Sequence, residues 1–303
     1  QFVGYNYAYT LEKEMIYMGK VSLKGVFDMH VHAAPDIRER AYTDFEMMEA
    51  GIRVGAKGIV LKSHHGTTMN RAYLCNEHNR IVHEGENDFV MYGSVTLNYA
   101  IGGLNPVAVD TGIKMGAKVI WLPTTHAKNQ LAKNGKTGGI ECLDEHFKPV
   151  PKLQEILKII LDNDVVLATG HLAPDEIFPV VDYAKNMGIE KIVVTHPEFW
   201  VVGMSHEDQK RIVDDYDVIL ERCYAQPMGG GVYKSNLQDN LEVIKLVGYK
   251  NVMVDTDGGQ VENPNWEIAL EEYMQYLFDR GITEEELWYM TRTIPAKLLG
   301  VNN

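Results

Sequence analysis

The sequence has little of what marks secreted, membrane-bound or nucleic-acid-binding proteins. Its 303 residues contain three cysteines, Cys75, Cys142 and Cys223, whose odd number and wide spacing favour reduced thiols in a cytoplasmic protein over a disulfide framework. Lys and Arg number 29 against 42 Asp and Glu, and a formal net charge of -13 argues against the basic face that nucleic-acid binding requires. No apolar run approaches the roughly 18 residues of a membrane span, so we expect neither a membrane anchor nor a signal peptide.

Glycine-rich phosphate-binding motifs are missing as well. Gly229, Gly230 and Gly231 follow a predicted strand but lack the spacing of a P-loop or of a dinucleotide-binding fingerprint. The expected partner is therefore a small-molecule substrate, with no nucleic acid and no membrane. A homo-oligomer stays open, because aromatic side chains near the N-terminus could form a contact surface or pack against the body of the protein.

What the sequence does contain is a repeated alternation of helix-like and strand-like segments. Residues 55–62, 116–122, 188–195 and 248–255 each begin with a glycine and continue into a short run rich in Val and Ile. A glycine just after a helix accommodates a left-handed cap, and near-continuous apolar strands are typical of a buried parallel sheet. Strands are predicted at 26–29, 58–62, 89–95, 118–122, 164–169, 191–195, 217–223 and 251–255. Helices are predicted between them, for example at 43–54, 105–116, 151–162, 175–187, 206–215, 236–247 and 264–280.

Eight alternations over this length predict an α/β protein with a (β/α)8 TIM barrel, because closure leaves the sheet without edges. Residues 26–303 would form the barrel domain, and residues 1–25 a short N-terminal extension packed on it. The stretch 128–150 is longer than an ordinary connection and is interpreted as a candidate lid insertion.

The first predicted strand ends in side chains that can bind a metal ion. Asp28, His30 and His32 alternate there, and in a strand such residues point the same way, roughly 6 to 7 Å apart. Two imidazoles at this spacing can share a cation about 2.0 to 2.1 Å from each, while Asp28, one step deeper, is predicted to orient a ring. From this motif alone, a short strand with two solvated histidines is the alternative.

Further polar residues follow the other predicted strands. In a barrel the carboxyl ends of the strands form one face, so these residues are expected to meet there. The candidates are Lys62, His64, His126, His171, His196, Glu198, Gln226 and Asp257. Five other histidines are expected to be structural, namely His65, His78, His83, His146 and His206.

The order and strand positions of these residues resemble the amidohydrolase superfamily of metal-dependent hydrolases. The resemblance covers residues 26 to about 260. It implies one or two divalent cations per chain, with zinc favoured over manganese or iron. The metal ligands it implies are His30 and His32 on strand one, His171 on strand five, His196 on strand six and Asp257 on strand eight.

The sequence departs from the superfamily pattern at strand four. Many dinuclear members carry a carboxylated lysine or a glutamate there, where this chain has residues 122–126 without either. Lys62 is the substitute candidate, because a lysine whose pKa is lowered near cations can react with carbon dioxide. The alternative is a lysine that contacts the substrate or supports a ligand. His64 could bind a cation or donate to the substrate, and the sequence leaves this open.

A bound cation lowers the pKa of its water from about 15.7 towards 7, which predicts hydrolysis at neutral pH. Asp257 is expected to accept the water proton and return it to the leaving group, with His196 and His126 as further catalytic candidates. The predicted substrate-binding residues are His64, His126, Glu198 and Gln226. The predicted reaction is cleavage of an amide, cyclic amide, lactone or ester.

Three other functions remain open on the sequence. A mononuclear decarboxylase or deaminase belongs to the same resemblance. A PHP-like phosphoesterase also carries His-x-His on its first strand, and the pair Pro35-Asp36 after His32 keeps it open. A non-catalytic binding protein is disfavoured because every expected ligand position is occupied.

Overall fold

The computed structural model describes residues 20–302, so most of the predicted N-terminal extension lies outside the described residues. Within them, no helix is both long and apolar enough to cross a lipid bilayer. All three cysteines are buried and unpaired. The cytoplasmic location stays a prediction.

Eight parallel strands form a nearly closed barrel, which confirms the predicted (β/α)8 fold. The barrel strands are β1 Phe27–Val31, β2 Gly58–Leu61, β3 Val90–Thr96, β4 Ala117–Trp121, β5 Val166–Ala168, β6 Ile192–Val194, β7 Ile219–Cys223 and β10 Val252–Asp255. Neighbours in the sheet follow the order of the chain, with helical crossovers between them as parallel pairing requires. The sheet closes beyond the ends of β10 and β1, where the His32 N–H donates to the Gly258 carbonyl at 2.9 Å.

Helices pack around the barrel. They are α1 Asp44–Arg53, α2 Met69–Val82, α3 Pro106–Lys114, α4 Lys128–Lys133, α5 Pro151–Asn163, α6 Pro174–Met187, α7 His206–Tyr216, α8 Leu237–Val247, α9 Trp266–Phe278, α10 Glu284–Trp288 and α11 Ile294–Leu299. A π-helical turn, Tyr289–Thr293, joins α10 to α11, and short 3-10 turns lie at Tyr99–Ile101 and Tyr249–Asn251. The apolar sides of the α-helices pack on the outer faces of the strands and form the larger part of the core.

The elements that the sequence-based assignment does not name include one long helix, α2, and a β-hairpin. Helix α2 buries few apolar side chains, Met69, Ala72 and Cys75, so its amphipathic stripe is weak. An antiparallel hairpin, β8 Ala225–Gly229 with β9 Val232–Ser235, lies where the glycine run suggested only a loop.

The interior of the barrel is apolar, and polar side chains lie at the carboxyl ends of its strands. Phe27, Met29 and Met253 pack inside the barrel against Trp121 and against helix α11. The Trp121 ring lies 4.8 Å from the His30 ring and 4.3 Å from Nζ of Lys62, centroid to centroid and centroid to nitrogen. Trp121 therefore separates the apolar interior from the polar side chains of His30 and Lys62, which pack on its ring.

A β-bulge in β1 changes the face that Asp28 occupies. Asp28 pairs with Ile59 but Val31 pairs with Leu61, so β1 has one residue more than its partner over this span. Asp28 accepts a hydrogen bond from Nε1 of Trp266 in the outer layer at 2.8 Å. The prediction that Asp28 shares a face with His30 and orients a ring is therefore wrong, because a bulge breaks the strict alternation on which it rested.

The candidate lid is packed against the barrel. Ile140 and Cys142 are buried in the outer core, and backbone bridges join Ala127 to Ile140 and Leu143 to Pro149. Residues 128–150 form a wall of the site in this structure, and any closing movement stays a prediction.

Candidate metal centre

Five imidazoles from the ends of β1, β2, β5 and β6 form a closed circuit. Ring centroids lie 5.4 Å apart for His30 and His32, 4.9 Å for His32 and His64, and 5.7 Å for His64 and His171. The circuit closes through His196, at 5.0 Å from His171 and 5.6 Å from His30. Imidazoles that share a cation at ordinary bond lengths have centroids roughly 5 Å apart. The structure thus brings together the four predicted histidine ligands, with His64 as a fifth neighbour.

Asp257 and Lys62 lie at the centre of this circuit. Oδ1 of Asp257 is 3.1 Å from Nε2 of His30 and 3.1 Å from Nε2 of His32. The candidate ligand atoms of these three residues all lie within 4.8 Å of one another. Nζ of Lys62 is 2.9 Å from the same Nε2 of His30. His171 and His196 contact the other imidazoles through their rings, but they do not belong to the group formed by His30, His32 and Asp257.

Two of the histidines are held in the form that a metal ligand needs. Nδ1 of His30 lies 3.0 Å from Oε2 of Glu221, and Nδ1 of His171 lies 2.8 Å from Oε1 of Gln130. Carboxylate and amide oxygens only accept, so each Nδ1 carries a proton, and in the neutral ring Nε2 is then the nitrogen left to bind a cation. The sequence did not point to Glu221 or Gln130, because neither follows the end of a predicted strand.

Burial keeps most of these imidazoles neutral. It lowers the pKa of His64, His171 and His196 well below the usual value. Burial, assisted by the charge of Arg40, lowers the pKa of His32 to about 3. Neutral imidazoles are the form that binds cations.

The central charges behave differently. Burial opposes ionisation of Asp257, but His30 and His32 beside it hold its pKa well below the usual range. Burial also opposes protonation of His30, yet Asp257 and Glu221 raise its pKa. Burial lowers the pKa of Lys62.

The donor set fits a divalent cation. Nδ1 of His32 and Nδ1 of His196 are buried and have no hydrogen-bond partner within residues 20–302. Four imidazoles with one carboxylate match the ligand preferences of zinc and of neighbouring first-row metals.

A cavity of about 460 Å³ opens above the centre. Its wall includes Arg38, His64, His171, Trp200, Met228 and Gln260. This volume suits a small organic molecule. Arg40 also reaches the cavity wall and is paired with Asp36 at 2.7 Å.

Three predicted residues are not brought into this cavity. His126 packs on Tyr99 with ring centroids 4.8 Å apart. Glu198 accepts the Cys223 N–H at 2.9 Å, and burial raises its pKa to about 7. Gln226 accepts the Trp200 N–H at 2.7 Å and so supports a residue of the wall. None of the three belongs to the cavity wall in the described part of the chain. Their position after strand ends could not reveal which way each side chain turns.

Solved structures share this fold over nearly the whole chain. An amidohydrolase from Pseudomonas aeruginosa superposes with a TM-score of 0.63 at 13% identity, covering 91% of this chain and 95% of its own. An organophosphorus hydrolase from Deinococcus radiodurans superposes with a TM-score of 0.56 at 14% identity, and the match covers 91% of this chain and 92% of the hydrolase. A dihydroorotase from Campylobacter jejuni superposes with a TM-score of 0.56 at 14% identity, and the match covers 94% of this chain and 86% of the dihydroorotase. The resemblance to the amidohydrolase superfamily is thereby confirmed at the level of the fold.

Comparison with curated protein sequences finds no significant match. A family model matches residues 25–221, which contain β1 to β6 and the four histidines proposed as ligands. Asp257 lies beyond the matched region. The model describes DUF6282, a family of unknown function. The chain therefore belongs to the DUF6282 family.

Proposed function

We propose that this protein is a metal-dependent hydrolase that cleaves an amide, cyclic amide, lactone or ester bond of a small molecule. The observation that carries the proposal is the position of Asp257, whose Oδ1 is 3.1 Å from both His30 and His32 beside a cavity of about 460 Å³. A buried carboxylate among neutral imidazoles is an arrangement that a cation would stabilise.

Five residues would hold a divalent cation, for which zinc is proposed first. They are His30, His32, His171, His196 and Asp257. When bound, the cation supplies a water nucleophile at neutral pH and polarises the carbonyl that is attacked.

Asp257 is proposed as the general base. Its side chain is 8% exposed, and its Oδ1 faces the histidines. Gln260 Nε2 donates to the same oxygen at 3.2 Å, which leaves Oδ2 without a partner in the described part of the chain. Because the neighbouring histidines keep the carboxylate ionised, Oδ2 can take the proton of the attacking water and return it to the leaving group.

Lys62 is the remaining question at the centre. Its side chain is fully buried, and Nζ lies 2.9 Å from Nε2 of His30, one of the proposed ligands. As a neutral amine, Lys62 can attack carbon dioxide: an N–C bond forms, one C=O π bond breaks, and loss of one proton from the nitrogen to solvent leaves an anionic carbamate. Two cations per chain are proposed in that case, and one otherwise.

The substrate is proposed to carry an anionic group. Arg38 and Arg40 lie on the cavity wall above the centre. Arg40 is paired with Asp36, whereas the Arg38 side chain has no carboxylate partner within residues 20–302, so Arg38 is the cation proposed to meet the substrate. A guanidinium binds carboxylate with two parallel hydrogen bonds.

The test is metal analysis followed by a substrate panel. We expect one or two zinc ions per purified chain, and turnover of at least one lactone or cyclic amide that bears a carboxylate. His30→Ala should lose both metal and turnover, whereas His146→Ala, an exposed histidine, should lose neither. Wild-type protein with no affinity for divalent cations would overturn the proposal. Release of carbon dioxide from an aromatic acid without hydrolysis of any panel member would favour the decarboxylase alternative.

A further inference from the structure

Three histidines of the circuit have a hydrogen-bond partner at Nδ1, and His64 has a different kind of partner from His30 and His171. Nδ1 of His64 lies 2.8 Å from the hydroxyl oxygen of Thr124, at the end of β4. Nδ1 of His30 and Nδ1 of His171 instead face a carboxylate and an amide oxygen, which only accept. A hydroxyl can donate or accept, so the position of the His64 proton depends on where the Thr124 hydrogen points.

Asn98 decides the direction of that hydrogen bond. Its Oδ1 accepts the backbone N–H groups of Thr124 at 3.0 Å and of His126 at 3.2 Å, which fixes the orientation of the amide. Its Nδ2 therefore donates, to the His64 carbonyl at 3.0 Å and to Oγ1 of Thr124 at 2.6 Å.

The Thr124 oxygen is thus already an acceptor, and its residue is fully buried. Among the described residues, Nδ1 of His64 is the one acceptor within hydrogen-bond distance of the Thr124 hydroxyl. A buried hydroxyl hydrogen without an acceptor is unfavourable by about 1 to 3 kcal/mol, so this hydrogen points at Nδ1. The neutral imidazole of His64 then carries its own proton on Nε2.

His64 belongs to the cavity wall, and its Nε2 has no hydrogen-bond partner within residues 20–302. A nitrogen that carries a proton has no lone pair for a cation, and it can only donate. We propose that His64 is not a metal ligand and that its Nε2–H donates a hydrogen bond to the substrate oxygen on which negative charge develops. The inference rests on the proposed function, because it assigns His64 a role in the same cavity.

The proposed step moves no proton through His64. As the nucleophile bonds to the carbonyl carbon, the π electrons of the C=O bond move to the oxygen, and the Nε2–H hydrogen bond strengthens as that charge grows. When the leaving group departs, the electrons return and the C=O bond is restored. A donor that favours the charged state over the ground state accelerates the reaction, and its removal typically lowers kcat about 10²- to 10³-fold.

The first test measures zinc affinity, which needs no substrate. Metal-free wild type, His64→Gln, His64→Leu and the neighbouring control His65→Ala are titrated with zinc after circular dichroism confirms that each is folded. We expect the zinc affinities of all four proteins to agree within about threefold, because His64 neither binds the cation nor supports a ligand in this proposal. Loss of a residue that supports a ligand would lower the affinity about 10- to 100-fold. A drop of tenfold or more in both His64 variants, with His65→Ala unchanged, would overturn the inference.

The second test reads the proton position directly. In zinc-loaded protein labelled with ¹⁵N-histidine, the signals that vanish in His64→Gln belong to His64. They should report a neutral ring protonated on Nε2, in wild type and in Thr124→Ser. Thr124→Val removes the hydroxyl and should weaken that preference. A ring protonated on Nδ1 in the wild type would overturn the inference.

His30→Ala separates this inference from the proposed function. If His30→Ala binds zinc as tightly as the wild type, the proposed metal site is wrong. If His30→Ala loses zinc and both His64 variants lose it too, the metal site stands and only the role of His64 is wrong. With an active panel substrate, His64→Leu should lose kcat while His64→Gln, which keeps a side-chain N–H donor, retains part of it.

Discussion

Oε2 of Glu221 lies 3.0 Å from Nδ1 of His30, so a carboxylate on the seventh strand holds an imidazole on the first. The same oxygen accepts the backbone N–H of His196 at 3.3 Å. One buried carboxylate therefore fixes the tautomer of one proposed ligand and the backbone position of another. Carboxylate partners of this kind also make the ligating imidazole a better electron donor.

Glu221→Gln should weaken metal binding. The amide oxygen can still accept from His30, but the negative charge that favours the ligating form is lost, so zinc affinity should fall about 10- to 100-fold. Titration of the metal-free protein measures this, with the exposed Glu190→Gln as control. An unchanged affinity would show that Glu221 does not support the site.

Asp257→Asn should separate metal binding from catalysis. Four imidazoles remain to hold a cation, so part of the metal should be retained. The proposed proton acceptor is lost, and turnover should fall about 10²- to 10⁴-fold. Metal content and kcat on the same sample measure the two effects. Near-normal turnover in Asp257→Asn would remove Asp257 as the base.

Lys62→Arg tests the bridging carbamate. A guanidinium cannot take up carbon dioxide, so metal content should halve if Lys62 bridges two cations. The wild type incubated with ¹³C-bicarbonate should then show a carbamate carbon signal that is missing in the variant. Unchanged stoichiometry would reject the bridge while leaving a single-cation site intact.

Trp266→Phe tests the buried anchor behind β1. Nε1 of Trp266 donates to Oδ2 of Asp28 at 2.8 Å, and Thr256 donates to the same oxygen. Removing a hydrogen bond to a buried carboxyl group should lower the free energy of unfolding by about 1 to 3 kcal/mol. Urea denaturation measures it, with the more exposed Trp288→Phe expected to change stability by less than about 0.5 kcal/mol. Equal losses in both variants would contradict a specific role for this bond.

The sequence was sufficient for the fold and for most of the centre. Eight predicted Val/Ile-rich strands alternate with helix-like segments, four of them after a glycine, and this pattern favours a closed parallel sheet. His30, His32, His171 and His196 each follow a strand, so their meeting at one face followed from the barrel itself.

The sequence could not predict the directions in which single side chains point, or the contacts between residues that are far apart in the chain. A single extra residue in β1 turned Asp28 away from His30, and no composition signal marks a bulge. Glu221 lies inside β7, where alternation alone does not tell a buried anion from an ordinary strand residue. Glu198 and Gln226 follow strands as predicted, but the Glu198 side chain accepts the backbone N–H of Cys223 in β7 and the Gln226 side chain accepts that of Trp200.

The most direct measurement of the central claim is anomalous scattering at the zinc absorption edge from crystals of the zinc-loaded protein. We predict a peak about 2.0 to 2.2 Å from Nε2 of His30, Nε2 of His32 and the Asp257 carboxylate. His206, Asp239 and Glu242 form a separate acidic group that provides an internal comparison. A peak there and none at Asp257, at saturating zinc, would contradict the account.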